Sequence, residues 1–171
     1  RNGDRQNFNQ ENKSAVKQQK FNANNAAGIF YYNTKEVLIK LKLKEKVLKN
    51  QTSKLLKDYN SNIKKTFILN TEKLKDLEAA VNSTGTQARN NPELRRNIRK
   101  LIQETISPIR DTILSNEKEL NNNLESILNE NQFKKWLKYQ KRKKEKLKPK
   151  RSQNNKKRRS NSNKRGKRIR Q

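Results

Sequence analysis

Two long stretches of the chain show the spacing of an amphipathic helix. In the first, from Val47 to Asn82, apolar residues and one threonine recur at steps of three, four and seven positions: Leu48, Thr52, Leu55, Leu56, Tyr59, Ile63, Phe67, Leu74, Leu77 and Val81. This spacing places their side chains on one helix face. We therefore predict one long helix, which ends at the turn 82–85, where Gly85 occupies a position that helix C-termini favour.

The second stretch runs from Asn91 to Leu128. Asn91 is a good N-cap and Pro92 suits the first helical position. Near-heptad apolar spacing then continues for about ten turns, which indicates a pairing face for the first long helix. Coiled-coil dimerisation is the alternative use of the same face. Pro108 interrupts the pattern, and we expect it to kink the helix without ending it.

Two capping boxes mark shorter helices. Asn33 as N-cap with Glu36 three residues later predicts a short helix through Val37, Leu38 and Leu41.

The second box consists of Asn129 and Gln132, with Leu128 and Phe133 at the two positions of a hydrophobic staple. It predicts a helix boundary at Asn129. The helix that follows should present its apolar residues on one side and Lys and Arg elsewhere, and it should stop before Pro149. Its apolar side is expected to contain Phe133, Trp136, Leu137 and Gln140.

Gly (4) and Pro (3) are scarce, and no run of β-branched residues alternates with polar ones, which leaves helices and disorder as the expected contents. Only 29% of the residues are hydrophobic and 35% are charged, with a mean hydropathy of −1.37, so the core must be thin or shared in a homodimer. We predict an all-α fold: a long antiparallel helical hairpin with a short N-terminal helix and a C-terminal helix. We assign residues 1–27 to a disordered arm rich in Asn and Gln, 28–148 to the helical domain and 149–171 to a disordered basic tail. No apolar run approaches the roughly 20 residues that a membrane-spanning helix needs.

The charge is strongly positive and concentrated at one end. The net charge is +28, and residues 134–171 contain 20 Lys and Arg against one acidic residue, Glu145. An acidic partner is the natural consequence: an unfolded or acidic protein, nucleic acid or an anionic surface. The basic residues expected to attract it are Lys134, Lys135, Lys138, Lys141, Arg142, Lys143, Lys144, Lys156, Lys157, Arg158 and Arg159.

No residue pattern indicates catalysis. Cys, His and Met are absent, which removes Cys or Ser–His nucleophilic catalysis and the usual zinc and copper ligand sets. The four glycines are too scattered for a phosphate-binding loop. The nearest acidic groupings, Glu72 with Asp76 and Glu78, and Glu117 with Glu119, are read as solvated ion-pair surfaces. We expect a protein that is not an enzyme and has no cofactor or metal site.

Aromatic residues are the candidate apolar contacts for a partner. Phe30, Tyr31 and Tyr32 form the densest aromatic group, which either folds back over the helical core or stays exposed to a client protein or RNA. With Phe133 and Trp136 they form the predicted client-binding set. Burial of Trp136 against the second long helix would remove it from that set.

The stretch Leu128-Asn129-Glu130-Asn131-Gln132 resembles the LTxxQ motif of the Spy-like periplasmic chaperones, with Asn129 in the Thr position. The nearest counterpart of that family's first motif is Leu43-Lys44-Glu45-Lys46-Val47, which lacks both the cap residue and the Gln. Three further segments resemble small secreted proteins of the Bacteroidota: AAGIFYYN with KEVLIKLKLKEK, ISPIRD, and LESILNENQFKKWLKYQ.

The resemblance implies an all-helical, often dimeric, cradle-shaped stress-response protein that holds unfolded clients without ATP. It also implies the periplasm or cell envelope, reached after removal of a signal peptide, and a first residue of Arg1 fits such processing. One alternative is a nucleic-acid-associated structural protein of the ribosomal type, in the cytoplasm or an organelle, which uses the basic tail. Another is a scaffold that docks on anionic lipid or polysaccharide through residues 134–171.

Overall fold

The computed structural model describes residues 20–148, of which about 84% are helical and none lies in a strand. This confirms the all-α fold. The elements in chain order are α1 (Ala23–Ala27), α2 (Thr34–Leu41), α3 (Lys46–Leu69), α4 (Thr71–Thr84), a short 3-10 helix (Gln87–Arg89), α5 (Pro92–Ile127) and α6 (Glu130–Leu147). No helix within 20–148 is long and apolar enough to cross a membrane. The predicted arm up to residue 19 and the basic tail 149–171 lie outside the described residues.

The long hairpin is formed by α3 and α4 on one side and α5 on the other. The connection between α4 and α5 is short, so α5 returns along both preceding helices. Their facing side chains make one core with those of α1, α2 and α6, including Leu56, Ile63, Leu77, Ile113 and Leu124. Pro108 lies inside α5, which runs unbroken across it, so the prediction that it does not end the helix is correct. Asn91 caps α5 by accepting a hydrogen bond from the Leu94 backbone N–H.

The first half of the hairpin is two helices, so the prediction of a single helix from 47 to 82 is wrong. The break lies at Asn70, whose backbone (φ −117°, ψ 10°) leaves the helical region. Polar side chains compete with the helical hydrogen bonds here, because Asn70 Nδ2 donates to the Thr66 carbonyl and Thr71 Oγ1 to the Phe67 carbonyl. The apolar spacing continues across the break, which hid it from a periodicity argument. Gly85 does follow α4, but in a right-handed conformation, so no left-handed cap forms there.

The capping box at the start of α6 is confirmed. Asn129 Oδ1 accepts from the Gln132 N–H at 2.9 Å, and Gln132 Oε1 accepts from the Asn129 N–H at 3.1 Å. At α2 only half of the predicted box forms. Asn33 Oδ1 accepts from the Glu36 N–H, whereas the Glu36 carboxylate turns away to Lys143. The ion pair between Glu36 and Lys143 of α6 therefore takes the place of the second capping hydrogen bond.

The segment just before residue 28 is ordered, which corrects the assignment of residues 20–27 to a disordered arm. Ala23 and Ala27 of α1 are fully buried. Three side chains from the hairpin hold the segment by its backbone: Asn82, Glu78 and Arg110 bond to Phe21, Ala23 and Ala26 respectively. Gly28 ends α1 with φ 85°, a left-handed conformation that suits glycine. The three acidic residues Glu72, Asp76 and Glu78 therefore do not form only a solvated surface, because Glu78 accepts a hydrogen bond from the first residue of α1.

Two asparagines act as backbone clamps. Asn60 of α3 accepts from the Tyr32 N–H (2.9 Å) and donates to the Tyr32 carbonyl (2.8 Å). Asn82 of α4 makes the same pair of bonds to Phe21, at 2.8 and 3.0 Å. An amide side chain offers a donor and an acceptor side by side, so it can satisfy both groups of one extended residue. These clamps fix the N-terminal segment along the hairpin.

An aromatic cluster fills the space among α2, α3 and α6. The Tyr32 ring lies 4.8 Å from Trp136, 5.1 Å from Tyr59 and 6.1 Å from Tyr139, measured between ring centroids. Trp136 is fully buried, and its Nε1–H donates to Asn121 Oδ1 of α5 at 2.7 Å. Tyr139 and Gln140 complete the buried face of α6, whereas Leu137, predicted to share that face, is exposed.

Glu117 contradicts the prediction of a solvated carboxylate. It lies on the buried face of α5 with 3% of its surface exposed, and Lys144 of α6 donates to its Oε2. Its Oε1 has no hydrogen-bond partner among residues 20–148. Burial, together with the nearby charge of Glu117, raises the pKa of Tyr59 well above its usual value.

Replacing Asn60 tests the first clamp. We predict that Asn60→Ala lowers the free energy of unfolding by about 1–3 kcal/mol, because two backbone groups of Tyr32 lose their partner in a partly buried site. Asn50→Ala, an exposed change on the same helix, is the matched control and should be near neutral. Urea unfolding followed by Trp136 fluorescence measures both. Equal effects of the two substitutions would contradict the clamp.

Tyr59 gives a pH-dependent prediction. Above pH ~10 the unfolded chain loses the Tyr59 proton while the folded protein keeps it, because its folded pKa is raised. Rising pH therefore favours unfolding in that range, by about 1.4 kcal/mol per pH unit for this group. Above pH ~10, the free energy of unfolding of Tyr59→Phe should therefore fall less steeply with pH than that of the wild-type protein, by about 1.4 kcal/mol per pH unit. At pH 8 the two should differ little, since the Tyr59 hydroxyl has no hydrogen-bond partner within the described residues. Denaturant unfolding at pH 8, 10 and 11 checks this, and unchanged slopes would refute it.

Candidate functional site

A strongly charged concave surface lies between α2 and α6. It encloses about 320 Å³ and brings six cations close to one carboxylate. We call it the basic cleft. Its charged residues are Glu36, Lys40, Lys135, Lys138, Arg142, Lys143 and Lys146, and Tyr139 also contributes to its wall.

Helix periodicity explains how the cations come together. Lys135, Lys138, Arg142 and Lys146 follow one another at steps of three and four, so they share one side of α6. The neighbouring side of α6 is buried through Trp136 and Tyr139, which fixes the rotation of the helix. Lys40 comes from α2, whose Val37 and Leu41 are buried. The cleft thus exists because α2 and α6 pack against each other.

One ion pair crosses the cleft. Lys143 Nζ lies 3.1 Å from Glu36 Oε2, and the ammonium sits 5.4 Å from the centre of the Tyr139 ring. The hydrogen bond from Lys143 lowers the pKa of Glu36. Partial burial is the largest single influence on Lys143 and lowers its pKa, but the hydrogen bonds and charge interactions with Glu36 and Tyr139 together outweigh burial, so the pKa of Lys143 is raised. Glu36 is the one acid in a cleft of six cations, so the site stays strongly positive.

The basic residues predicted from the sequence divide among several places. Lys135, Lys138, Arg142 and Lys143 meet in the basic cleft. Lys134 pairs with Glu130 on its own helix, and Lys144 pairs with buried Glu117 on another side of α6. Lys141 is exposed outside the cleft. Lys156, Lys157, Arg158 and Arg159 lie outside the described residues.

Burial removes two of the five predicted client contacts. Tyr32 and Trp136 are core residues of the aromatic cluster, so a client cannot reach them in the folded protein. Trp136 suits this core because its indole N–H finds a partner in Asn121. Phe30 and Phe133 are half-buried against the same core, and Tyr31 is 45% exposed. Of the three adjacent aromatic residues, Tyr32 and Phe30 thus pack on the core, whereas Tyr31 is exposed.

Sequence reasoning missed Lys40, Lys146 and Glu36 as site residues. Lys146 could have been found, because it continues the spacing of Lys135, Lys138 and Arg142 along one helix. Lys40 and Glu36 belong to a different helix, and no pattern in the sequence shows that α2 packs on α6. The segment 43–47, the counterpart of the first LTxxQ motif, does not form a capping box like the one at Asn129. Here α3 begins at Lys46, and the side chain of the preceding Glu45 makes no capping hydrogen bond.

Comparisons with protein-family models, curated protein sequences and solved structures found no significant match. The basic cleft must therefore be interpreted from its own geometry. Six cations within one small depression create a concentrated positive potential, which attracts negative charges.

Neutralising Glu36 should strengthen anion binding. In Glu36→Gln, the cleft loses its carboxylate and Lys143 is released, so we expect the affinity for polyglutamate at low salt to rise about two- to fourfold. Glu72→Gln is the matched control, since Glu72 also occupies a first helical turn and changes the net charge equally. Fluorescence anisotropy of a labelled peptide measures both. If Glu72→Gln raised the affinity as much, total charge and not the cleft would be responsible.

Proposed function

We propose that this protein is a non-enzymatic binding protein that holds acidic, unfolded polypeptide segments on the basic cleft and the apolar side chains beside it. The observation on which this proposal rests is the convergence of six cations and a single carboxylate between α2 and α6. Such a field attracts acidic chains over several ångströms and raises their local concentration. Attraction of this kind requires neither ATP nor a catalytic group.

Exposed apolar side chains next to the cations support a polypeptide partner. Ile39 precedes Lys40 and is 75% exposed, and Leu137 precedes Lys138 and is 41% exposed. Tyr31, at 45%, leads into α2. Isolated exposed apolar residues are common on soluble proteins, but here Ile39 and Leu137 directly precede lysines that line the basic cleft. An unfolded acidic segment can use both, whereas a folded acidic surface can use mainly the charges.

The resemblance of residues 128–132 to the LTxxQ chaperones is consistent with this proposal. Leu128, Asn129 and Gln132 form the α5–α6 boundary, which orients the basic helix. We extend the proposal to the periplasm or cell envelope as the site of action, and to a homodimer as its working form, on the same resemblance. Aggregation-prone proteins in that compartment would be its clients.

A second candidate is binding to the phosphate backbone of nucleic acid. The spacing of the cations along α6 favours it, because a row of Lys and Arg at helical steps can follow a chain of phosphates. The basic residues of 149–171 would add to this binding. Tyr31 is the one exposed aromatic side chain within 20–148, which offers few surfaces on which unpaired bases could stack.

Aggregation assays test the first candidate. At equimolar protein and low salt, we expect suppressed light scattering from a thermally unfolded acidic client. The double variant Lys138→Gln/Arg142→Gln should slow capture and reduce suppression, and Ile39→Ser/Leu137→Ser should reduce retention of the client. Leu101→Ser, an exposed change on α5, is the control and should retain full suppression. Full suppression by both double variants would refute the proposal.

Binding to single-stranded DNA across a salt series separates the two candidates. If nucleic acid is the partner, the logarithm of its affinity should fall linearly with the logarithm of the salt concentration, and each lost phosphate contact should reduce the slope by about 0.7. The change Ile39→Ser/Leu137→Ser should then have no effect on binding. If polypeptide is the partner, the same variant should weaken client binding at 300 mM salt, where screening reduces the charge contribution.

A further inference from the structure

A second concave surface lies on another side of the molecule, among the N-terminal segment, the middle of α5 and the end of α6. It encloses about 620 Å³, within the range of small-molecule sites. Large apolar side chains from three separate parts of the chain line it: Phe21, Phe30, Ile113, Leu114 and Leu147. We call it the apolar groove. It shares none of its lining residues with the basic cleft.

The apolar lining is partly open to solvent. Leu114 is 49% exposed although its neighbour Ile113 is buried, and Phe21, Phe30 and Leu147 are only half-buried. Apolar side chains that converge in a depression lose contact with water when an apolar group enters, which makes such a depression a favourable site for one.

The apolar groove also has charged lining residues. Lys20, Arg110, Lys144 and Lys148 all line the groove, with Glu117 as its one acid. Glu117 is neutralised by Lys144, and Arg110 donates to the Ala26 carbonyl. Lys20 and Lys148 pair with no carboxylate among residues 20–148. The groove therefore combines an apolar lining with an excess of positive charge.

We propose that the apolar groove binds a single-chain amphipathic anion of the long-chain alkyl carboxylate class. The alkyl chain would lie on Phe21, Phe30, Leu114 and Leu147, and the carboxylate would meet Arg110 or the ammonium groups of Lys20 and Lys148. Charge complementarity selects an anion over a neutral or cationic amphiphile. The groove is too small for a lipid surface, so the ligand is a monomer.

Titration calorimetry on the full chain tests this proposal with three twelve-carbon amphiphiles below their critical micelle concentrations. We expect laurate to bind with a stoichiometry of one, dodecyl maltoside at least about tenfold more weakly, and dodecyltrimethylammonium not measurably. Equal affinity for laurate and dodecyltrimethylammonium would overturn the proposal, since it would show unspecific apolar binding.

Two variants locate the site. Leu114→Asp places a carboxylate in the lining and should lower laurate affinity at least about tenfold. Leu101→Asp, a similarly exposed leucine on the same helix outside the groove, should leave it unchanged, and thermal unfolding should show that both variants fold. Lys20→Gln/Lys148→Gln should weaken laurate binding about two- to fivefold while sparing dodecyl maltoside.

A different occupant of the apolar groove would give different results in these experiments. If a second copy of the chain covered the groove, Leu114→Asp would shift sedimentation towards a smaller species and laurate would not bind to the wild-type protein, which would overturn the proposal. Unchanged laurate affinity in Leu114→Asp would place the ligand elsewhere and would also overturn it. The aggregation assay with the basic-cleft variants is independent of these outcomes.

Discussion

The structure depends on the docking of Tyr32 among α3 and α6. Its ring contacts Tyr59, Trp136 and Tyr139, while Asn60 satisfies both of its backbone polar groups. A chain that is only 29% hydrophobic has few large apolar side chains to bury, and this cluster uses a large share of the aromatic ones. Because α2 follows directly after Tyr32, the same docking places α2 against α6. The basic cleft between these two helices is therefore a consequence of aromatic packing.

Short-range signals explain why parts of the fold could be predicted. The Asn129–Gln132 capping box, the Asn91–Pro92 start of α5 and the spacing along α5 each involve residues within a few positions of one another, and all appear in the structure. The break at Asn70 was missed because the apolar spacing continues across it, and the side-chain hydrogen bonds that favour the break do not alter that spacing.

The parts of the site that escaped prediction depend on contacts between distant residues. Asn60 and Asn82 look like ordinary polar positions of an amphipathic helix until the N-terminal segment lies beside them. Glu117 was expected to be solvated because it and Glu119 point to different faces of the helix, whereas its burial beside Lys144 of α6 depends on a contact 27 positions away. Trp136 and Tyr32 were expected to meet clients, but a thin core needs its largest side chains inside.

Two adjacent lysines of α6 suggest how its orientation is selected. Lys143 pairs with Glu36 of α2 on one side, and Lys144 pairs with buried Glu117 of α5 on another. The partly exposed pair of Lys143 and Glu36 adds little stability, and the buried carboxylate of Glu117 costs desolvation energy that its partner only partly returns. Both pairs, however, penalise a rotated α6, since rotation would leave Glu117 buried without a cation. The charge arrangement thus favours one orientation, which directs Lys138 and Arg142 into the basic cleft and leaves Lys148 beside the apolar groove.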